Sequence, residues 1–447
     1  MKRRTYIKLS ATLTAGCALT PLASSIPEDK LKNWAGNLEY STTNISYPKS
    51  VEEVQKLLKQ NNKVKVLGSR HCFNRIADSK DHLLSTKQMN QVVSLDTNAR
   101  TVTVEGGINY GELSPYLHQN GFALHNLASL PHISVVGACT TATHGSGVKN
   151  GNLATAVSGL EFIDADGEVH VISRKKEGEE INAAVVSLGA LGVITKITLD
   201  IQPTYMVRQF VYENMPMSEL QDNFEKILSA GYSVSLFTDW QNDYINEVWI
   251  KMHEKESIDS LQSEYYGAKA ATKNLHPIAE LSAENCTEQM GVPGAWHDRL
   301  PHFKMGFTPS SGKELQAEYF VPFHNAIEAI LAVSRLSKQV GPHLFISEIR
   351  SIEADSFWMS PCYEQPSVAI HFTLKQDWLA VKKLLPLIEK ELAPFNVKPH
   401  WGKLFTISPA VLKQRYPKME NFKNWITQYD PRGKFQNDFL NQNIFNS

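Results

Sequence analysis

His71 follows a glycine turn at the end of a valine-rich stretch, Val64-Lys65-Val66-Leu67-Gly68-Ser69-Arg70-His71-Cys72-Phe73-Asn74. Gly68 has no Cβ, so the backbone there can come close to a phosphate or a flat ring. His71 then stands where its imidazole can face whatever the turn holds. A second segment, Gly137-Ala138-Cys139-Thr140-Thr141-Ala142-Thr143-His144-Gly145-Ser146-Gly147, repeats the chemistry with small and hydroxyl-bearing residues. Two such loops point to a large cofactor held by backbone amides, with His71 near enough to react with it.

Ionisable groups gather again late in the chain. Over Leu344 to Ile352, period-2 alternation puts Glu348 and Arg350 on one face of a strand. Over Val368 to Leu374, His371 and Thr373 share one face, and Val368, Ile370, Phe372 and Leu374 share the other. Adjacent, the two strands make the polar wall of a pocket. The same alternation serves a solvated sheet face, and the pattern does not separate the two. Lys398-Pro399-His400-Trp401-Gly402-Lys403 brings two lysines and a histidine around a tryptophan and a glycine. Taken alone it reads as a surface loop with a half-buried Trp401.

Other chemistries lack their motifs. There is no Gly-x-Ser-x-Gly for a hydrolase, no His-Glu-x-x-His, no P-loop and no Gly-x-Gly-x-x-Gly opening a helix. Five cysteines (Cys17, Cys72, Cys139, Cys286 and Cys362) are scattered without zinc-type spacing, so no metal site is expected and reduced thiols are. His118 and His170 read as structural or exposed. With 45 Lys and Arg against 46 Asp and Glu and no basic stripe, nucleic acid is an unsuitable partner. No interior run reaches the ~18 apolar residues of a membrane span. Nothing in the sequence sets the oligomeric state.

The elements that must position these groups fall into two textures. A helix over Ser50 to Leu58 is capped by Ser50 with Glu53 at the capping-box position. Strands follow at Val64 to Leu67, Gln91 to Asp96, Thr101 to Glu105, Leu160 to Ala165, Glu168 to Ile172 and Val193 to Ile201, with a helix over Tyr110 to Gln119. Past Pro203 the segments lengthen. Met217 to Leu228 and His324 to Ser337 read as helices, and Ser233 to Phe237, Glu247 to Met252 and Ala317 to Val321 as strands. At 447 residues the chain accommodates two or three domains.

In their joint order these motifs resemble the vanillyl-alcohol oxidase / p-cresol methylhydroxylase flavoproteins, and within them the alditol oxidases, near relatives of the aldonolactone oxidoreductases. The carrying residues are Val66 to Asn74, Asn126 to Ser134, Thr143 to Gly147, Ser187 to Val193, Asn285 to Gln289, Glu348-Ile349-Arg350, His371-Phe372-Thr373 and His400 to Lys403. The resemblance implies an α+β chain: an FAD-binding domain of the p-cresol methylhydroxylase type over 31–202, an α+β substrate domain over 203–403, and a return to the FAD domain over 404–447. It places Val66, Leu67, Gly68, Ser69, Arg70, His71, Cys72, Ser129, Ser134, Gly137, Thr141, Ala142, Thr143, His144, Val193 and His400 against FAD. It also implies a covalent bond from His71 to the flavin. Arg70 stands where the lactone-oxidising relatives usually have glycine. Ser129-Leu130-Pro131 lacks the cysteine of the doubly linked branch, so one bond is expected.

The same resemblance implies a substrate pocket of Ser129, Glu348, Arg350, Thr373 and Lys403, with His371 beside them. Oxidising a primary alcohol needs hydride to leave carbon and a proton to leave oxygen. Arg350 and Lys403 suit the developing alkoxide charge, Glu348 a polyol hydroxyl, Ser129 and Thr373 further hydroxyls, and His371 a proton relay. The expected reaction converts a polyol such as xylitol or sorbitol to the aldose, with oxygen or another acceptor taking the electrons. A lactone or sugar dehydrogenase feeding a quinone or cytochrome is the alternative, and a non-catalytic periplasmic sugar-binding protein a more distant one. Lys2-Arg3-Arg4-Thr5-Tyr6-Ile7-Lys8 before the apolar stretch Leu9 to Ala23 resembles a twin-arginine export signal spanning 1–25, with a periplasmic destination. Thr14-Ala15-Gly16-Cys17 adds a lipoprotein anchor as an option.

Overall fold

The computed structural model describes residues 31–257, 263–306 and 313–446. The export leader and Cys17 lie outside the described residues. The helix Val51–Gln60 begins where expected: Ser50 Oγ accepts from the Glu53 amide at 3.3 Å, and only Val54 and Leu58, four apart, are buried. The helix Tyr110–Gln119 carries a complete capping box between Asn109 and Glu112. Three short parallel strands, Ile45–Ser46, Leu83–Ser85 and Lys65–Leu67, lie in that order. The last of them feeds the Gly68 turn. It starts at Lys65, because the Val64 amide bonds to the Lys434 carbonyl instead (3.0 Å).

A five-stranded antiparallel sheet orders Val92–Asp96, Thr101–Glu105, Val193–Asp200, Val157–Ile163 and Val169–Ser173. The chain's end comes back to these elements. Asn437 Nδ2 donates to the carbonyls of Arg75, Ile76 and Asp78, and Lys434 Nζ to that of Leu58.

A ten-stranded antiparallel sheet forms the other layer. Its centre runs Met206–Pro216, Tyr244–His253, Ser233–Thr238, Leu344–Ile352, Ser367–Lys375 and Glu314–Pro322, and Lys398–Pro399 closes one edge. One face is apolar: Tyr319, Ile349, Val368, Ile370, Phe372 and Leu374 pack with helices Ala326–Ser334 and Trp378–Leu392. Burying that stripe contributes about 2 kcal/mol per large side chain. The predicted helix over His324 to Ser337 divides at Ser334, whose hydroxyl turns back on the Leu331 carbonyl (2.9 Å) and competes with the helical ladder. No helix among the described residues is long and apolar enough to cross a membrane.

Candidate active site

The polar face of the large sheet carries one row of charge. Antiparallel register sets Glu348 opposite His371 and His371 opposite Glu318, across three neighbouring strands. Arg350 follows Glu348 two residues on, so it shares that face. The two late strands are therefore neighbours, and their ionisable face is not solvated: Glu348, Arg350 and His371 are all buried.

Glu318 is the hub. It is 1% exposed. One carboxylate oxygen accepts from Arg350 Nη2 at 3.0 Å and the other from Lys403 Nζ at 2.7 Å. His144 Nε2 lies 3.2 Å and His371 Nδ1 3.7 Å from the same group. Of these the His144 nitrogen is off line for a hydrogen bond. Burial alone would raise the Glu318 pKa, but Lys403 and then His144 hold it well below the usual carboxylate range. Lys403 moves the other way: burial pulls its ammonium down, and Glu318 resists.

Lys403 also donates to His371 Nδ1 at 2.7 Å, which leaves His371 Nε2 to face Thr373 Oγ1 at 3.0 Å. Burial and the Lys403 charge push His371 down to about 4, so it is neutral at working pH. Arg350 Nη1 donates to Ser129 Oγ at 3.2 Å. Burial lowers the Arg350 pKa and the charges of Glu348 and Glu318 raise it further than that, so the guanidinium is firmly charged. Glu348 Oε1 lies 3.4 Å from Arg350 Nε and 2.7 Å from His302 Nε2.

The loop Lys398 to Lys403 is a correction. It is not a surface loop: Trp401 is fully buried, its indole donating to the Met359 carbonyl (2.7 Å), and Lys398 and His400 are buried too. The loop is stitched to the first glycine turn. The Phe73 amide donates to the Gly402 carbonyl (2.7 Å), and Asn74 Nδ2 to the carbonyls of Trp401 (2.8 Å) and Lys403 (2.7 Å). Lys403 and His71 are thus held in fixed relation.

Both groups open on one cavity, whose empty space counted out to open solvent is about 1650 Å³. Val66 to Cys72, Ser134, Gly137, Thr141, Thr143, His144 and His400 line one part of it, and Ser129, Glu348, Arg350, His371, Thr373 and Lys403 another. Ala142 and Val193, expected at the cofactor, are not in the lining. Ala142 is buried in a left-handed turn (φ 53°), and Val193 packs in a core with Leu84, Met89 and Phe435.

The residues present fit FAD. Both ring nitrogens of His71 are buried without a partner, and burial, then His132, pushes the imidazole down to about 4. A neutral, unpaired imidazole facing a cavity is free to bond there. Trp34 stacks on it, with centroids 5.3 Å apart and planes 23° apart. A Cβ at Gly68 or at Gly137 would stand 2.6 Å from Ser134 Oγ, so the absence of side chains there keeps the cradle open. Arg70 takes φ 65°, a conformation glycine adopts without strain, and its guanidinium donates to the Lys32 carbonyl (2.9 Å). Beneath the turn, buried Lys65 donates to the carbonyls of Gly189 (2.9 Å) and Phe435 (3.2 Å). Among the described residues no cluster of three His, Cys, Asp or Glu could hold a metal, and Cys72, Cys139, Cys286 and Cys362 are free.

Sequence reasoning missed Glu318, Lys251, His302 and Lys65. Lys65 is the one charge of its short strand, while Glu318 and Lys251 each share a strand with another charged residue and stand out only by their apolar immediate neighbours. His302 lies in a loop and gives no such signal.

Comparison with known proteins gives the family. Residues 43–173 match the model of an FAD binding domain, and residues 307–443 that of D-arabinono-1,4-lactone oxidase. Alditol oxidase of a Streptomyces species is 43% identical over 412 residues, 91% of this chain and 97% of that protein. L-gulonolactone oxidase of Bos taurus is 26% identical, covering 92% of this chain and 97% of its own length. L-gulono-1,4-lactone dehydrogenase of Mycobacterium tuberculosis is 25% identical, covering 91% and 97%. Among solved structures, cholesterol oxidase from B. sterolicum superposes with a TM-score of 0.74 at 14% identity, over 96% of this chain and all of that one, a likeness of fold alone.

Proposed function

This chain belongs to the alditol oxidase family of FAD-dependent oxidoreductases, and on that premise we propose that it oxidises a terminal hydroxyl of a polyol such as xylitol or sorbitol to the aldose, with oxygen reduced to hydrogen peroxide. The observation that carries the reading is the Glu318 clamp. One carboxylate holds Arg350 and Lys403 side by side, one on each oxygen, against the cavity. Two fixed cations at one point suit an oxygen that gains negative charge as its carbon gives up hydride.

FAD supplies the two-electron chemistry when bound, and His71 is the residue that would tether it. The chain's own side chains do the rest. Arg350 and Lys403 bind the reacting hydroxyl and stabilise its developing charge. Lys403 takes the hydroxyl proton as it passes one to His371 Nδ1, and Glu318 balances the imidazolium so formed. Glu348, Ser129 and Thr373 accept or donate to the remaining hydroxyls, which orients the chain of carbons.

The aldonolactone reading keeps its own support, the match of residues 307–443 and the dehydrogenase relative. An aerobic panel of polyols and aldonolactones with peroxide detection decides. Peroxide from polyols is the expected result. Turnover of lactones alone, with a quinone or cytochrome as acceptor, would replace it. Export rests on the leader residues Arg3, Arg4 and the apolar stretch behind them, and we propose a periplasmic site of action that fractionation of cells would test.

A further inference from the structure

Lys251 lies at the centre of the large sheet, 1% exposed, and its ammonium has three hydrogens to place. All three go to one short segment. Lys251 Nζ donates to the carbonyls of Leu300 (2.5 Å) and Pro301 (3.1 Å) and to His302 Nδ1 (3.0 Å). With Nδ1 accepting, the His302 hydrogen must sit on Nε2, and Nε2 lies 2.7 Å from Glu348 Oε1. The imidazole meets Phe237 and Trp249 edge to face, with ring centroids 5.5 and 5.1 Å away. The same segment reaches Ser129: the His302 amide donates to the Ser129 carbonyl at 3.1 Å. Thr287 pins it from behind through its amide to the His302 carbonyl (2.9 Å) and its hydroxyl to that of Pro301 (2.7 Å).

We propose that Lys251 and His302 are positioning residues that make Glu348 a fixed acceptor for an interior hydroxyl of the polyol. The inference rests on the oxidase reading above for the identity of the ligand. His302 occupies one oxygen of Glu348 and fixes the plane of the carboxylate, and among the described residues no hydrogen bond takes the second oxygen, which is left for a ligand. A carboxylate can only accept. A polyol hydroxyl donates to it. An analogue that lacks the hydroxyl leaves this buried acceptor unpaired and binds more weakly. Burial would raise Glu348, but Arg350 and then His302 hold it below the usual carboxylate range, so it stays ionised. The charged and titratable groups around the pair are Glu348, Arg350, Arg299 and Cys286. Burial pulls Lys251 itself down to about 7.

The test compares affinities by titration calorimetry in the FAD-loaded protein, kept anaerobic with its flavin reduced so that no turnover occurs, with xylitol and pentane-1,5-diol (the same chain without interior hydroxyls), for the wild type, His302→Phe and His302→Gln. His302→Phe should weaken xylitol by roughly 10- to 100-fold, the worth of a hydrogen bond to a charged group, and leave the diol within about threefold. His302→Gln, which can still donate to Glu348, should recover part of the loss. Equal weakening of both ligands, no weakening, a wild type that binds the diol more tightly, or a glutamine variant no better than phenylalanine would overturn the proposal. Polyol turnover is measured on the same wild-type sample in air. Binding without turnover would refute the oxidase reading, while the affinity ratios still decide the role of His302.

Discussion

Replacing Glu318 with glutamine removes one charge and changes no volume, so its effect isolates electrostatics. In the native site the carboxylate sits 3.0 Å from Arg350 Nη2 and 2.7 Å from Lys403 Nζ. At an effective dielectric of about 20, contacts of this length are each worth about 6 kcal/mol before desolvation is subtracted. Desolvation offsets much of this, and breaking a buried pair typically costs about 3–5 kcal/mol net. Glutamine's oxygen can still accept from one cation, but its amide must then face the other. Lys403, already pulled down by burial, loses its main counter-charge and falls further, so it is less often protonated when the hydroxyl oxygen needs a cation. If the whole penalty falls on the transition state, kcat/KM drops by roughly two to four powers of ten. The assay is steady-state polyol oxidation from pH 5 to 9 on protein whose flavin spectrum matches the wild type. The loss should shrink as pH falls, because acid restores the Lys403 charge. A loss under tenfold, or one that deepens at low pH, would refute the clamp as the organiser of catalysis.

Ser129→Ala removes the acceptor of Arg350 Nη1 and should raise KM by about tenfold with a smaller change in kcat, measured by steady-state kinetics. His71→Ala should leave a folded protein whose flavin separates from the chain on acid denaturation, read as colourless precipitate and yellow supernatant. His302 and His371 are each held down at about 4, against about 6.5 when unfolded. The unfolded chain therefore binds more protons in that window, so the stability of burying them neutral is present above pH 6.5 and is lost as pH falls through 4. The loss reaches roughly 3 kcal/mol for each group, and thermal unfolding midpoints should drop steadily between pH 6.5 and 4. Midpoints that stay level across that range would show that these imidazoles already carry a proton in the fold.

What the sequence made legible follows from periodicity and backbone need. The Gly68 turn and the Gly137 segment stand out because a close backbone approach forbids side chains there, and both line the cavity. The Glu348/Arg350 and His371/Thr373 alternations are readable because side chains on a strand repeat every two residues. Their burial was not readable, since alternation is the same on a wet face and on a pocket wall. The Trp401 loop misled for a related reason. Charged residues around a glycine suggest solvent, and only the tertiary bonds from Phe73 and Asn74 draw the segment inward. Glu318 went unseen because its neighbours Ala317, Tyr319, Phe320 and Val321 describe a core strand. Its partners come from residues 144, 350, 371 and 403, separations that no local pattern encodes. His302 owes its role wholly to Lys251 and Glu348, which the fold alone brings beside it.

The central claim is that the cations gathered by Glu318 face a polyol hydroxyl beside the flavin. Its most direct test is anaerobic addition of xylitol to the purified, FAD-loaded protein, with the visible flavin band followed by stopped flow. The band should bleach in the wild type, and far more slowly in Glu318→Gln and Lys403→Met. A band left intact by every polyol offered, yet bleached by an aldonolactone, would contradict the account.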